Sequence, residues 1–109
     1  MELQEEINKI IEVLKPLNPY RVILFGSYAR GNPDEESDID LYVVTNDDFI
    51  PGNWRETNKI YLKFSRQIRS IRSEVPIDLI VHTKKMNQKF IDLNSRFSKE
   101  IFQNGISLI

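Results

Sequence analysis

Arg21-Val22-Ile23-Leu24-Phe25-Gly26-Ser27-Tyr28-Ala29-Arg30-Gly31 and, six residues on, Asp38-Ile39-Asp40-Leu41-Tyr42-Val43-Val44 decide how this chain is read. The first run is short, apolar and rich in β-branched residues, and it stops at a glycine, which predicts a buried strand over 21–25. Ser27 to Arg30 then has room for one helical turn, with Gly31 as its left-handed terminator. Asn32-Pro33-Asp34-Glu35-Glu36-Ser37 is a loop by composition. The second run alternates, and predicts another strand. On it Asp38 and Asp40 project to one side, about 6.6 Å apart along the strand, while Ile39 and Leu41 turn to the other.

Two carboxylates side by side on an otherwise apolar strand repel, and burial raises the cost of ionising both. A hard, oxygen-seeking divalent cation relieves it. Ile77-Asp78-Leu79-Ile80-Val81 repeats the anomaly, and predicts a third strand over 75–81 with one charge in it. If that strand lies beside the second, Asp78 completes a set of three carboxylates, the donor set of two-metal sites for in-line phosphoryl displacement. Gly26-Ser27 directly after the first strand lets the backbone approach a ligand closely and offers unpaired N–H groups and a hydroxyl to an anion. Arg30 suits either of two anions, a phosphate or the acidic loop.

The rest of the chain supplies the frame. Leu3, Ile7, Ile10, Ile11 and Leu14 recur at helical spacing, and Pro16 ends that helix. A long helix is predicted over 53–73. Its apolar side carries Trp54, Tyr61, Phe64, Ile68 and Ile71, and its basic side Arg55, Lys59, Lys63, Arg66 and Arg69. Leu62 falls off the stripe, where it can meet a partner. Trp54 and Tyr61 read as core anchors, and His82, just past the third strand, as a surface residue. Tyr42 shares a face with Asp40 and lies either near a nucleobase or against a helix. Met86, Phe90, Leu93, Phe97 and Ile101 mark one or two further helices, broken near Asn94-Ser95. Gly105 caps the last, and 106–109 reads as an edge strand. The order predicts an α+β fold, a small mixed β-sheet flanked by helices, as one domain over 1–109.

The chain has 109 residues, no cysteine, one histidine and a formal net charge of −1. Those counts exclude disulfide scaffolds, thiolate metal sites and multi-histidine metal sites. The acidic N-terminus is unlike a signal peptide, and the apolar runs are too short to span a membrane, so a cytoplasmic location is expected.

Taken jointly, Gly26-Ser27, ten intervening residues and Asp38-Ile39-Asp40, with Asp78 on a later strand, resemble the polymerase-β-like nucleotidyltransferase superfamily. The chain is most similar to its minimal nucleotidyltransferases (MNT). The resemblance implies the polymerase β palm-like fold, with Gly26 and Ser27 on the triphosphate of ATP; Arg30 is the further candidate for nucleotide binding. Asp38, Asp40 and Asp78 would ligate two Mg²⁺ ions, and Asp78 would help to deprotonate an acceptor hydroxyl. It further implies transfer of AMP, with pyrophosphate leaving, to a tyrosine of a cognate HEPN ribonuclease toxin, so that the chain acts as an antitoxin. The short chain leaves little protein for an acceptor pocket, so a partner is expected to bring the acceptor. A nucleotidyltransferase subunit modifying a small molecule such as an aminoglycoside, and a non-catalytic antitoxin acting by binding alone, are the alternatives. The basic helix face fits a partner interface or nucleic-acid contact as well as plain solvation, although direct nucleic-acid binding is not the expectation.

Overall fold

A computed structural model describes residues 3–31 and 38–109. The loop expected over 32–37, with the acidic residues Asp34, Glu35 and Glu36, lies outside the described residues. The elements run α1 (Leu3–Leu14), a 3₁₀ turn (Lys15–Leu17), β1 (Arg21–Phe25), α2 (Ser27–Arg30), β2 (Ile39–Val44), α3 (Trp54–Gln67), α4 (Arg69–Arg72), β3 (Ile77–His82), α5 (Lys84–Asp92), α6 (Arg96–Asn104) and β4 (Ile106–Ser107). The strands form one sheet in the order β3-β2-β1-β4. β1 is antiparallel to both β2 and β4, whereas β2 and β3 are parallel. Among the described residues, no helix is long and apolar enough to cross a membrane.

Strand alternation divides the apolar residues between two faces. Val22, Leu24, Ile39, Leu41, Val43, Ile77, Leu79 and Val81 pack with Ile7, Ile10 and Leu14 of α1 and Phe64 of α3 in the main core. Ile23, Phe25, Tyr42 and Val44 face the other way, against Ile101 of α6 with Phe90 and Phe102 beside them. Asp40 and Asp78 share the parity of Tyr42 and Ile80, so they belong to this second face, at the end where β2 and β3 begin and β1 ends.

The helix expected over 53–73 is broken at Ile68, whose backbone (φ −99°, ψ 8°) leaves the α region. Asn53 caps α3 by accepting from the Glu56 amide at 3.0 Å. Arg72 then ties the broken helix to the sheet, donating to the Ile77 carbonyl (3.0 Å), Ser65 Oγ (2.8 Å) and the Tyr61 hydroxyl (3.2 Å). Tyr61 and Leu62 are both half-buried, and Tyr61 packs against the core. Trp54 does not anchor the core: it is 74% exposed. On a helical wheel the apolar stripe carries equal weight along the helix, but burial in α3 is confined to Phe64 in its second half.

His82 also departs from expectation. As the last residue of β3 it keeps strand parity, which turns its ring under α5 rather than into solvent. The ring meets Tyr42 and Phe90 edge-on, with centroids 5.1 and 5.3 Å away. Tyr42, fully buried, packs against helix residues, which settles its open reading. Its hydroxyl donates to Asn87 Oδ1 at 2.7 Å and lies 2.8 Å from His82 Nδ1. With its single proton given to Asn87, the hydroxyl accepts from a protonated Nδ1, which fixes the imidazole tautomer. Burial holds the His82 pKa below its ordinary value and pushes that of Tyr42 up.

Gly105 closes α6, its amide donating to the Ile101 carbonyl, and leads into the edge strand β4. A Cβ there would lie 2.2 Å from the Ile101 carbonyl oxygen and 2.6 Å from Ile23 Cγ2. Gly105→Ala is therefore expected to destabilise the fold by about 1–3 kcal/mol, the usual scale of overpacking. In a chain of this size that lowers the melting temperature by about 5 °C or more; an unchanged melting curve would contradict the packing described.

Candidate active site

The parallel pairing of β2 with β3 puts Asp40 opposite Asp78 in register, and the antiparallel pairing of β1 puts Phe25 opposite Asp40. The three chain segments singled out in the sequence thus meet at one end of the sheet. Gly26 follows Phe25 with φ +77°, and a Cβ on it would stand 2.1 Å from Asp40 Oδ2. Both the left-handed backbone and the space require glycine here. Ser27 opens the single turn of α2, which ends at Gly31 with φ +81°.

Asp40 and Asp78 stand side by side on neighbouring strands and line the same cleft. Burial first, then the charges of Asp78 and Asp38, raise the Asp40 pKa to about 6, against a small opposing effect of Arg30. Asp38 precedes β2 and is half-buried, whereas Asp78 is exposed on β3. The three carboxylates are close enough for Asp40 to register both of the others. Among the described residues, no three metal-ligating side chains already gather at ligand spacing. The chemistry of this donor set nevertheless suits a divalent cation: all oxygen, acidic, and with anionic charge that Arg30 offsets only in part.

Arg30, read from sequence as a contact for a phosphate or for the acidic loop, has a further partner in the structure. Its guanidinium pairs with Glu100 of α6. That contact ties the turn after Gly26 to a helix from the far end of the chain. A cleft of about 360 Å³ opens beside the carboxylates, lined by Phe25, Asp40, Asp78, Leu79, Ile80 and Phe97. Nothing in the sequence marks Phe97 and Glu100 as site residues. The apolar spacing of α6 marked Phe97 only as a helix position, and no local signal shows which helical residue faces a cleft.

A family model described as Polymerase beta, Nucleotidyltransferase matches residues 8–109. A Methanocaldococcus jannaschii chain that carries the provisional name protein adenylyltransferase is 35% identical over 101 residues, 93% of this chain and 97% of that one. Among solved structures, one provisionally named a nucleotidyltransferase, from Sulfolobus solfataricus, matches with a TM-score of 0.61 at 20% identity, covering 95% of this chain and 79% of that chain. A chain from the complex of tri-AMPylated Shewanella oneidensis HEPN toxin with MNT antitoxin gives a TM-score of 0.50 at 21% identity, over 97% and 71% of the two chains. At such identities the structural likeness speaks to the fold alone.

A carboxyl whose proton affinity is higher folded than unfolded opposes folding once ionised, so its cost is present above pH 6 and disappears as pH falls towards its unfolded value. Asp40→Asn is expected to raise the melting temperature of the metal-free protein at pH 8 by a few degrees, about 1 kcal/mol after allowance for solvent screening. The gain should vanish near pH 4. Equal gains at both pH values would show that Asp40 carries no such strain.

Proposed function

The chain belongs to the polymerase β nucleotidyltransferase family, and from that membership we propose that it transfers AMP from ATP to a tyrosine hydroxyl of a helical HEPN-type toxin, neutralising it as an MNT antitoxin. The observation that carries the reading is the in-register placement of Asp40 beside Asp78 with Gly26 pressed against the Asp40 carboxylate. The adenylyltransferase name of the M. jannaschii relative and the AMPylated toxin of the Shewanella complex support it.

In this reading the open backbone at Gly26 and the Ser27 hydroxyl bind the triphosphate, and Arg30 exchanges Glu100 for a phosphate oxygen. Asp38, Asp40 and Asp78 would hold Mg²⁺, which when bound supplies positive charge to the phosphoryl oxygens and lowers the pKa of the attacking hydroxyl. The tyrosine oxygen attacks the α-phosphorus from the side opposite the pyrophosphate, a new P–O bond forms, and the bond to the β-phosphate oxygen breaks. Asp78, exposed at the cleft, accepts the phenolic proton. Holding the groups in line is itself a large part of the acceleration, because it replaces a bimolecular encounter by a fixed geometry.

The test is incubation of the chain, co-expressed with a cognate helical partner, with α-labelled ATP. Label should enter the partner with release of pyrophosphate, and Asp40→Asn or Asp78→Asn should reduce the rate by at least about a hundredfold. Label entering an aminoglycoside and not the partner would overturn the acceptor. Full protection from the toxin by an inactive Asp38→Asn/Asp40→Asn variant would show that binding alone neutralises it.

A further inference from the structure

We propose that the cleft beside Asp40 and Asp78 is the acceptor pocket, and that Phe97 selects an aromatic hydroxyl, a tyrosine side chain, over aliphatic ones. The inference rests on the nucleotidyl-transfer reading and assigns a residue of this chain to the acceptor. An in-line displacement has its nucleophile opposite its leaving group. Across the sheet the sequence of positions is Gly26 at the end of β1, Asp40 on β2 and Asp78 on β3. With the triphosphate on the Gly26–Ser27 side, the nucleophile arrives on the Asp78 side, and whatever carries its oxygen enters the cleft.

The walls of that cleft are apolar and aromatic. Phe25 is 7% exposed and Phe97 is 45% exposed. Their rings meet edge-to-face with centroids 5.6 Å apart and planes at 76°. Phe90 holds Phe97 from a second direction, 5.9 Å away at 72°. The backbone fixes the ring as well. Asn94 turns the chain between α5 and α6 with φ +50°, and Ser95 caps α6 by accepting from the Ser98 amide at 3.1 Å. The Arg30–Glu100 pair then moors the helix one turn further on. A ring half open to solvent, held by Phe25 and Phe90 and lining the same cleft as two carboxylates, is built to receive a flat apolar group with a polar tip. A phenol matches this: its ring meets Phe97 edge-on or offset, and its hydroxyl reaches the carboxylates. A serine or sugar hydroxyl would leave the aromatic walls in water.

The test uses N-acetyl-tyrosinamide and N-acetylserinamide as acceptors with the full chain. In the presence of Mg²⁺ and a non-hydrolysable ATP analogue, the ring protons of the tyrosine probe should shift upfield on binding to the wild type and to Phe97→Tyr, and not to Phe97→Ala or Phe97→Leu. With ATP, Phe97→Ala should lower kcat/KM for the tyrosine probe about tenfold, the scale of one lost aromatic contact, and leave the KM for ATP unchanged. Phe97→Leu, which keeps apolar volume without the ring, guards against a folding defect. A raised KM for ATP would put the nucleobase in the cleft and overturn the proposal, as would unchanged kinetics for both substrates or equal use of the serine probe. If the wild type labels no acceptor at all, the transferase reading fails, and the ring-proton shifts still decide whether the cleft binds a phenol.

Discussion

Two carboxylates on adjacent parallel strands, in register and each raising the cost of ionising the other, are the constraint around which this molecule is arranged. Neighbouring strands lie about 4.8 Å apart, so Asp40 and Asp78 cannot separate without breaking the ladder. Ile39, Leu41, Ile77 and Leu79 sit in the main core with hardly any exposure, and their burial fixes the register. A slip of one residue in either strand would turn its aspartate into the core and its apolar residues out of it. The sheet therefore enforces a repulsion that neither side chain would adopt in a free chain.

The surroundings of the pair are cut to the same purpose. Gly26 leaves the volume that any side chain would take from Asp40. Arg30 reaches over from α2 to Glu100, so the second turn of the site is held by a helix that the sequence places some seventy residues away. The aromatic group of Phe25, Phe90 and Phe97 continues into the Tyr42, His82 and Asn87 network behind it. The second face of the sheet is thus a packed support for the α5–α6 pair, and that pair sets the position of the half-open Phe97 ring beside the carboxylates.

The strands, the glycine turn and the three aspartates were legible because each rests on local rules: alternation, a glycine where φ is positive, charges out of place in apolar runs. The family resemblance built on Gly26-Ser27 and Asp38-Ile39-Asp40 holds for the chain as a whole. What escaped depends on tertiary placement. Trp54 and Phe64 carry equal weight on a helical wheel, yet only the second reaches the core. His82 reads as the residue after a strand, and one further step of the ladder buries it. Arg30 finds its partner seventy residues away, and Phe97 owes its place to a left-handed Asn94, neither of which periodicity can reveal.

Under the proposed function, Asp38, Asp40 and Asp78 act on one cation site beside the nucleotide. Carboxyl-labelled aspartate followed by NMR during titration with Mn²⁺ and a non-hydrolysable ATP analogue tests it most directly. The signals of these three residues should broaden together, ahead of those of Asp47, Asp48 and Asp92. Broadening spread evenly over all the carboxylates, or sparing Asp40 and Asp78, would contradict it.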